Sequence, residues 1–190
     1  MAEILLLHHV LGLTDGVRSF ADRLRAGGHA VHTPDLFDGR TFDDLRAGMS
    51  HEEDDLGWDV MTSRAAAAVD GLPDDLVYVG ISMGVVYSHL LVNRRPGARG
   101  AVFLESCTSL DDFGGWPAGV PVQVHGHAGD EFFGDEGTAA AHALVAAAGR
   151  GEVFVYPGDT HLFVDDSLAT YDAEQTATVV DRILRFLATV

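Results

Sequence analysis

Leu76-Val77-Tyr78-Val79-Gly80-Ile81-Ser82-Met83-Gly84-Val85-Val86 organises the reading of this chain. The run Val77 to Ile81 is apolar and rich in β-branched residues, and it enters a Gly-x-Ser-x-Gly turn. Apolar periodicity resumes from Val85 to Val92. The sequence therefore predicts strand, sharp turn and helix, the setting of a nucleophile elbow. A residue on such a turn is held in a strained conformation, and bulky side chains at the flanking positions would collide with strand and helix. Ser82 would project beyond the carboxyl end of its strand, and the Met83 amide would point at a reacting oxygen from the helix N-terminus. Glycine is common here, 22 of 190 residues. The pentapeptide thus needs support from the rest of the chain.

Upstream, Ile4 to Leu7 is a continuous apolar run that reads as a buried parallel strand. His8-His9-Val10-Leu11-Gly12-Leu13 follows as a loop. Thr14 or Asp15 can cap a helix carrying Val17, Phe20, Ala21 and Leu24 on one face, with Gly27-Gly28 at its end. Ala30 to Thr33 reads as a second strand. Thr41 is a candidate cap for a helix bearing Phe42, Leu45 and Met49. His51-Glu52-Glu53-Asp54-Asp55 reads as a solvated surface segment, and Trp58 to Val69 as a helix. Residues 35–58 form a candidate lid.

Downstream, Arg94-Arg95 closes the elbow helix, where two cations suit its dipole. Strands are expected over Ala101 to Leu104, Val120 to His125 and Glu152 to Tyr156, and helices over Thr138 to Ala148 and Leu168 to Leu187. Alternating strands and helices predict an α/β fold: a mainly parallel sheet of six or more strands, covered by helices on both faces. Sites in such sheets lie beyond the carboxyl ends of the strands.

Those ends carry the chemistry. Ser82 needs a base, and the base needs an orienting acid. Asp130 and His161 each follow a later strand in a Gly-containing loop, and they supply the chain order Ser, Asp, His. Glu131 is a rival acid, and the chain has nine other histidines. Oxyanion donors are expected from the amides of Met83 and Val10, with Leu11 next. His9, Leu11, Phe37, Trp58, Phe113, Trp116, Phe132 and Phe163 are candidate pocket residues, with ordinary packing the competing reading for each aromatic. Five strand-end histidines could approach one rim, but ligand spacing for a metal is missing, so no metal and no cofactor is expected.

The formal charge of −17 makes nucleic acid and anionic membranes poor partners. All twelve basic residues are arginine. With one cysteine, Cys107, no intramolecular disulfide can form, which fits a reducing cytoplasm. The N-terminus has no basic region and too short an apolar run for a signal peptide, and no membrane span is expected. The length fits one domain, residues 1–190, whose state as monomer or homodimer is left open.

These residues resemble the dienelactone hydrolase family, a compact branch of the α/β hydrolases. The likeness runs through Leu11-Gly12-Leu13, Gly28-His29-Ala30-Val31-His32-Thr33-Pro34-Asp35-Leu36, Gly80-Ile81-Ser82-Met83-Gly84, His125-Gly126-His127-Ala128-Gly129-Asp130 and His161-Leu162-Phe163. It implies Ser82 as nucleophile, Asp130 as acid, His161 as base, and Val10 and Met83 as oxyanion donors. It also implies hydrolysis of a small carboxylic ester, lactone or thioester without a cofactor. The family's best-known members carry Cys at Ser82 and Glu at His9, so this chain reads as a serine variant. They also hold a substrate carboxylate with arginines, one shortly after the histidine, where this chain has Val164-Asp165-Asp166. Arg64 is the remaining candidate for such a role. Acyl transfer on the same residues and a catalytically silent ligand- or partner-binding protein are the alternatives.

Overall fold

The computed structural model describes residues 1–190. Six parallel strands form one sheet: β1 (Glu3–Leu7), β2 (Ala30–His32), β3 (Val77–Ile81), β4 (Gly100–Leu104), β5 (Val122–His127) and β6 (Gly151–Tyr156), in the order β2-β1-β3-β4-β5-β6. Every residue of β3, β4 and β5 is buried, as continuous apolar runs covered on both faces require. Register pairs Leu7 with Gly80, Ile81 with Leu104 and His127 with Tyr156, which gathers the loops after the strands along one edge. No helix is long and apolar enough to cross a membrane.

The helices are α1 (Asp15–Ala26), α2 (Leu45–Ser50), α3 (Gly57–Ala67), α4 (Met83–Arg94), α5 (Gly134–Ala148) and α6 (Ala173–Leu187). The Thr14 side chain caps α1, accepting from the Val17 amide, and Val17, Phe20, Ala21 and Leu24 are buried beneath it. Helix α1 packs on α6 and α3 on α4, forming helical layers over the sheet. On edge strand β6 the Arg182 guanidinium lies 4.0 Å from the Phe154 ring, covering an apolar face with a cation. Arg95 does more than complement a helix dipole: it bonds the Leu72 carbonyl and Asp74.

Several boundaries differ from the sequence reading. Asp44, not Thr41, caps α2 through the Ala47 amide. Helix α5 begins four residues before Thr138, at Gly134. Helix α6 begins at Ala173 because the Asp172 carboxylate takes the Gln175 amide there; residues 168–171 form turns. The acidic run His51–Leu56 forms a π-helical turn in which Glu53, Asp54 and Asp55 are exposed, as a solvated segment requires, and His51 is not. Its His51 ring is buried against Phe37 and Phe42, at centroid distances of 5.1 and 5.2 Å.

Candidate active site

The turn after β3 is built around two glycines. A Cβ on Gly80 would lie 2.5 Å from backbone atoms of Gly84 and Val85. A Cβ on Gly84 would lie 2.2 Å from the Leu7 carbonyl oxygen. Glycine thus lets α4 drop onto β3 and β1 at once. Between them Ser82 sits at φ 50° and ψ −113°, a sparsely populated conformation. Its amide donates to the Leu104 carbonyl at 2.8 Å, which ties the strained turn to β4.

Ser82, Asp130 and His161 meet in space. The Ser82 hydroxyl lies 2.8 Å from His161 Nε2. His161 Nδ1 lies 2.7 Å from Asp130 Oδ2, and Asp130 Oδ1 accepts from the Phe132 amide at 2.8 Å. Asp130 is buried, and Ser82 and His161 are each 9 % exposed. With Nδ1–H donated to the carboxylate, Nε2 is the free base facing the hydroxyl.

Ser82 and His161 open on a cavity of about 190 Å3. Its other walls are Val10, Leu45, Met49, Glu52, Glu53, Met83, Val86, Ser106 and Phe132. The Phe132 ring lies 4.5 Å from the His161 ring, between centroids. A wider depression of about 640 Å3 shares Leu45, Met49, Glu53 and Phe132 with it and adds Asp44, Asp54, Glu131 and Arg46. The Met83 amide lies in the first turn of α4, where N–H groups have no partner within the helix.

Most of the expected pocket residues lie elsewhere. Phe37 is core, packed edge-on against His8 at 5.0 Å. Phe163 is core, stacked on His127 at 4.0 Å. Trp58, which is 48 % exposed, stacks on Phe113 at 6.1 Å. Trp116 packs on Phe103 and donates its Nε1–H to Val120 O at 2.8 Å. These rings satisfy one another, so Phe132 is the aromatic wall of the cavity, beside the aliphatic and acidic side chains of α2 and the π-helical turn. His9 is fully buried and is not a wall of the cavity. Leu11 lines a separate depression that also touches Leu45 and His161. Arg64 is spent on the Leu36 carbonyl and Asp38.

Sequence reasoning gave three groups here no role at the site. Glu52 and Glu53 were hidden in a charge run; Tyr87 donates its hydroxyl to Glu52, which fixes that carboxylate at the cavity. Glu105 follows β4, a strand-end position, yet no motif marks it. It is fully buried at φ 62°, accepts from the Val164 amide at 3.2 Å, and burial pushes its carboxyl up to about 8. Asp165, in the loop after His161, bonds His9 at 2.8 Å. The strand-end histidines are each engaged separately, and no group of three or more His, Cys, Asp or Glu side chains is arranged to hold a metal ion.

A profile of the dienelactone hydrolase family matches residues 2–190. Among solved structures, a dienelactone hydrolase-like promiscuous phosphotriesterase from metagenomic libraries is 19% identical with a TM-score of 0.77, over 100% of this chain and 86% of that one. A candidate dienelactone hydrolase from Klebsiella pneumoniae is 17% identical with a TM-score of 0.76, over 100% and 88%. Est1E from Butyrivibrio proteoclasticus, solved with ferulic acid bound, is 15% identical with a TM-score of 0.67, over 100% and 89%. At these identities the likeness is one of fold. No curated protein sequence matches the chain.

Proposed function

The chain belongs to the dienelactone hydrolase family of α/β hydrolases, and from that premise we propose that it is a serine hydrolase of a small carboxylic ester, lactone or thioester. The observation that carries this reading is the Ser82 hydroxyl 2.8 Å from His161 Nε2 at the wall of a cavity. Ser82 Oγ attacks the substrate carbonyl carbon as His161 Nε2 takes its proton. Asp130 holds the imidazole in the tautomer that can accept that proton, and it stabilises the imidazolium that forms. The amides of Met83 and Val10 receive the developing oxyanion, each donor supplying on the order of 3 kcal/mol of transition-state stabilisation. His161 passes the proton to the leaving oxygen or sulfur as the carbonyl bond re-forms. Water, deprotonated by the same imidazole, then attacks the acyl carbon, and His161 returns that proton to Ser82 Oγ as the acyl–oxygen bond breaks and the acid leaves. The chemistry calls on no cofactor.

The cavity's charge supports a neutral or cationic substrate. Glu52 and Glu53 line it and no arginine does. A substrate carboxylate held ~6 Å from one of these charges would meet about 3 kcal/mol of repulsion at an effective dielectric of about 20. The test compares kcat/KM for p-nitrophenyl butyrate with that for mono-p-nitrophenyl glutarate, in wild type and Ser82→Ala. The neutral ester is expected to react at least about tenfold faster, given that repulsion, and Ser82→Ala to turn over neither. Turnover surviving in Ser82→Ala would overturn the serine mechanism, and preference for the carboxylate would overturn the substrate assignment.

A further inference from the structure

A second histidine–carboxylate pair lies outside the lining of the cavity and takes no part in the steps above. His9 and Asp165 are both fully buried, with His9 Nε2 2.8 Å from Asp165 Oδ2. The same carboxylate oxygen accepts from the Thr14 hydroxyl at 2.5 Å. Asp165 Oδ1 accepts from the Ser167 amide at 2.9 Å and from its hydroxyl at 2.6 Å. Helix α1 begins against this group: a Cβ on Gly16 would lie 1.6 Å from Asp165 Oδ1. The positive end of that helix dipole favours an anion. Burial alone would raise the Asp165 carboxyl, but the hydrogen bonds from His9, Ser167 and Thr14 hold it at about 2.

The protons on His9 follow from its neighbours. The Leu11 amide donates to His9 Nδ1 at 3.2 Å, so Nδ1 carries no proton. Nε2 carries it and donates to Asp165. Burial lowers the pKa of the ring, against the opposing pull of Asp165, and keeps it neutral. One tautomer satisfies both neighbours.

The consequence falls on the loop after β1. The Leu11 amide is taken by His9 Nδ1, the Leu11 carbonyl accepts from the Phe42 amide at 3.0 Å, and the Gly12 amide donates to the His9 carbonyl at 3.0 Å. Between them, the Val10 amide makes no hydrogen bond within the protein, and Val10 is a wall of the cavity at Ser82. Val10 is 8 % exposed, and a buried N–H is costly unless a ligand oxygen or a water takes it.

We propose that His9, fixed in its Nε2–H tautomer by Asp165, is a positioning residue for the oxyanion hole: by occupying the Leu11 amide it leaves the Val10 N–H as the loop's donor to the substrate oxygen. This rests on the hydrolase reading of Ser82. Because Asp165 lies in the loop that carries His161, the pair also ties the loop of the oxyanion donor to the loop of the base.

The test measures kcat and KM for p-nitrophenyl butyrate, with thermal melts, for wild type, Ser82→Ala, His9→Ala, His9→Asn and Asp165→Asn. Asparagine at position 9 puts an amide oxygen where Nδ1 was and can still accept from Leu11. Asparagine at position 165 can donate to Nε2, which drives the His9 proton to Nδ1, where it opposes the Leu11 amide. His9→Ala and Asp165→Asn are expected to lose about ten- to hundredfold in kcat with KM within about twofold, a partial loss of one oxyanion donor, and His9→Asn to recover most of it. Unchanged kcat per folded enzyme in Asp165→Asn, or a His9→Asn variant as slow as His9→Ala, would overturn the proposal. If His9→Ala does not fold, Asp165→Asn slow with His9→Asn fast supports it, and any other pattern contradicts it. Failure of the hydrolase reading is read separately, as an inactive wild type or an active Ser82→Ala, and it would take this proposal with it.

Discussion

Ser82 carries its side chain on a backbone at φ 50°, and Glu105 and Leu162 share that left-handed region at φ 62° and 61°. Of the four non-glycine residues with positive φ, one is therefore Ser82 itself and two, Glu105 and Leu162, are the chain neighbours of the cavity-lining Ser106 and His161. Strain of this kind persists only where neighbours enforce it. Glu105 is one enforcer: its buried carboxyl holds the Val164 amide, in the loop that carries His161. With its pKa pushed up to about 8 by burial, it is neutral at pH 7. Glu105→Gln keeps the acceptor and the shape, so kcat is expected to stay within about threefold of wild type, while Glu105→Ala loses about 1–3 kcal/mol of stability by orphaning a buried amide. Equal damage from both variants, in ester kinetics and thermal melts, would contradict a neutral Glu105. The Gly-x-Ser-x-Gly turn, the positions after strands of a parallel sheet and the chain order together made Ser82, Asp130 and His161 legible. Asp165 was legible only as a departure from the family pattern. Its bond to His9 joins residues far apart in sequence, and nothing local signals it.

At the scale of elements, the strands and α1 were legible because burial on two faces gives continuous apolar runs and burial on one gives a 3.6-residue stripe. The segment over the cavity was not. A π-helical turn shifts which side chains face inward, so His51-Glu52-Glu53 shows no helical stripe, yet it buries His51 and lines the cavity with both glutamates. Of the six aromatic residues read as candidate pocket walls, Phe132 lines the cavity and the others take the competing reading of ordinary packing. Ring-on-ring packing, as between Trp58 and Phe113, is decided by tertiary contacts. The contact between α4 and β1 offers a sharper test. Gly84 faces the Leu7 and His8 carbonyl oxygens, both rigid backbone atoms. Gly84→Ala is expected to cost about 1–3 kcal/mol or more by overpacking, lowering the melting temperature by at least about 3 °C. An unchanged melting curve would mean that the elbow has slack which this packing denies.

For the whole molecule, buried histidines set the response to acid. Burial is the largest cause lowering His8 to about 4 and His125 to about 3 from an ordinary 6.5, and it lowers His9 and His89 in the same direction. A group whose folded pKa is lowered contributes stability that is fully present above its unfolded value and lost as pH falls toward the folded one. Glu105 has the opposite sign: its contribution is present below 4.5 and lost as pH rises through about 8. Asp165 gives way only as pH falls from 3.8 toward 2. Between about pH 6.5 and 4.5 His8 and His125 together outweigh one glutamate, each group contributing up to about 1.4 kcal/mol per pH unit, and His9 and His89 act in the same direction. The melting temperature is expected to fall on the order of 5–10 °C from pH 6.5 to pH 5. A flat or rising curve would show that these rings charge without penalty.

The most direct test of Ser82 as an activated nucleophile is intact-protein mass spectrometry after exposure to a fluorophosphonate, with peptide mapping of the adduct. The expected result is one label per chain, on Ser82, formed by wild type and absent from folded His161→Ala. Folded wild-type protein that takes no label, or a label that persists when His161 is removed, would contradict a serine activated by the His161–Asp130 pair.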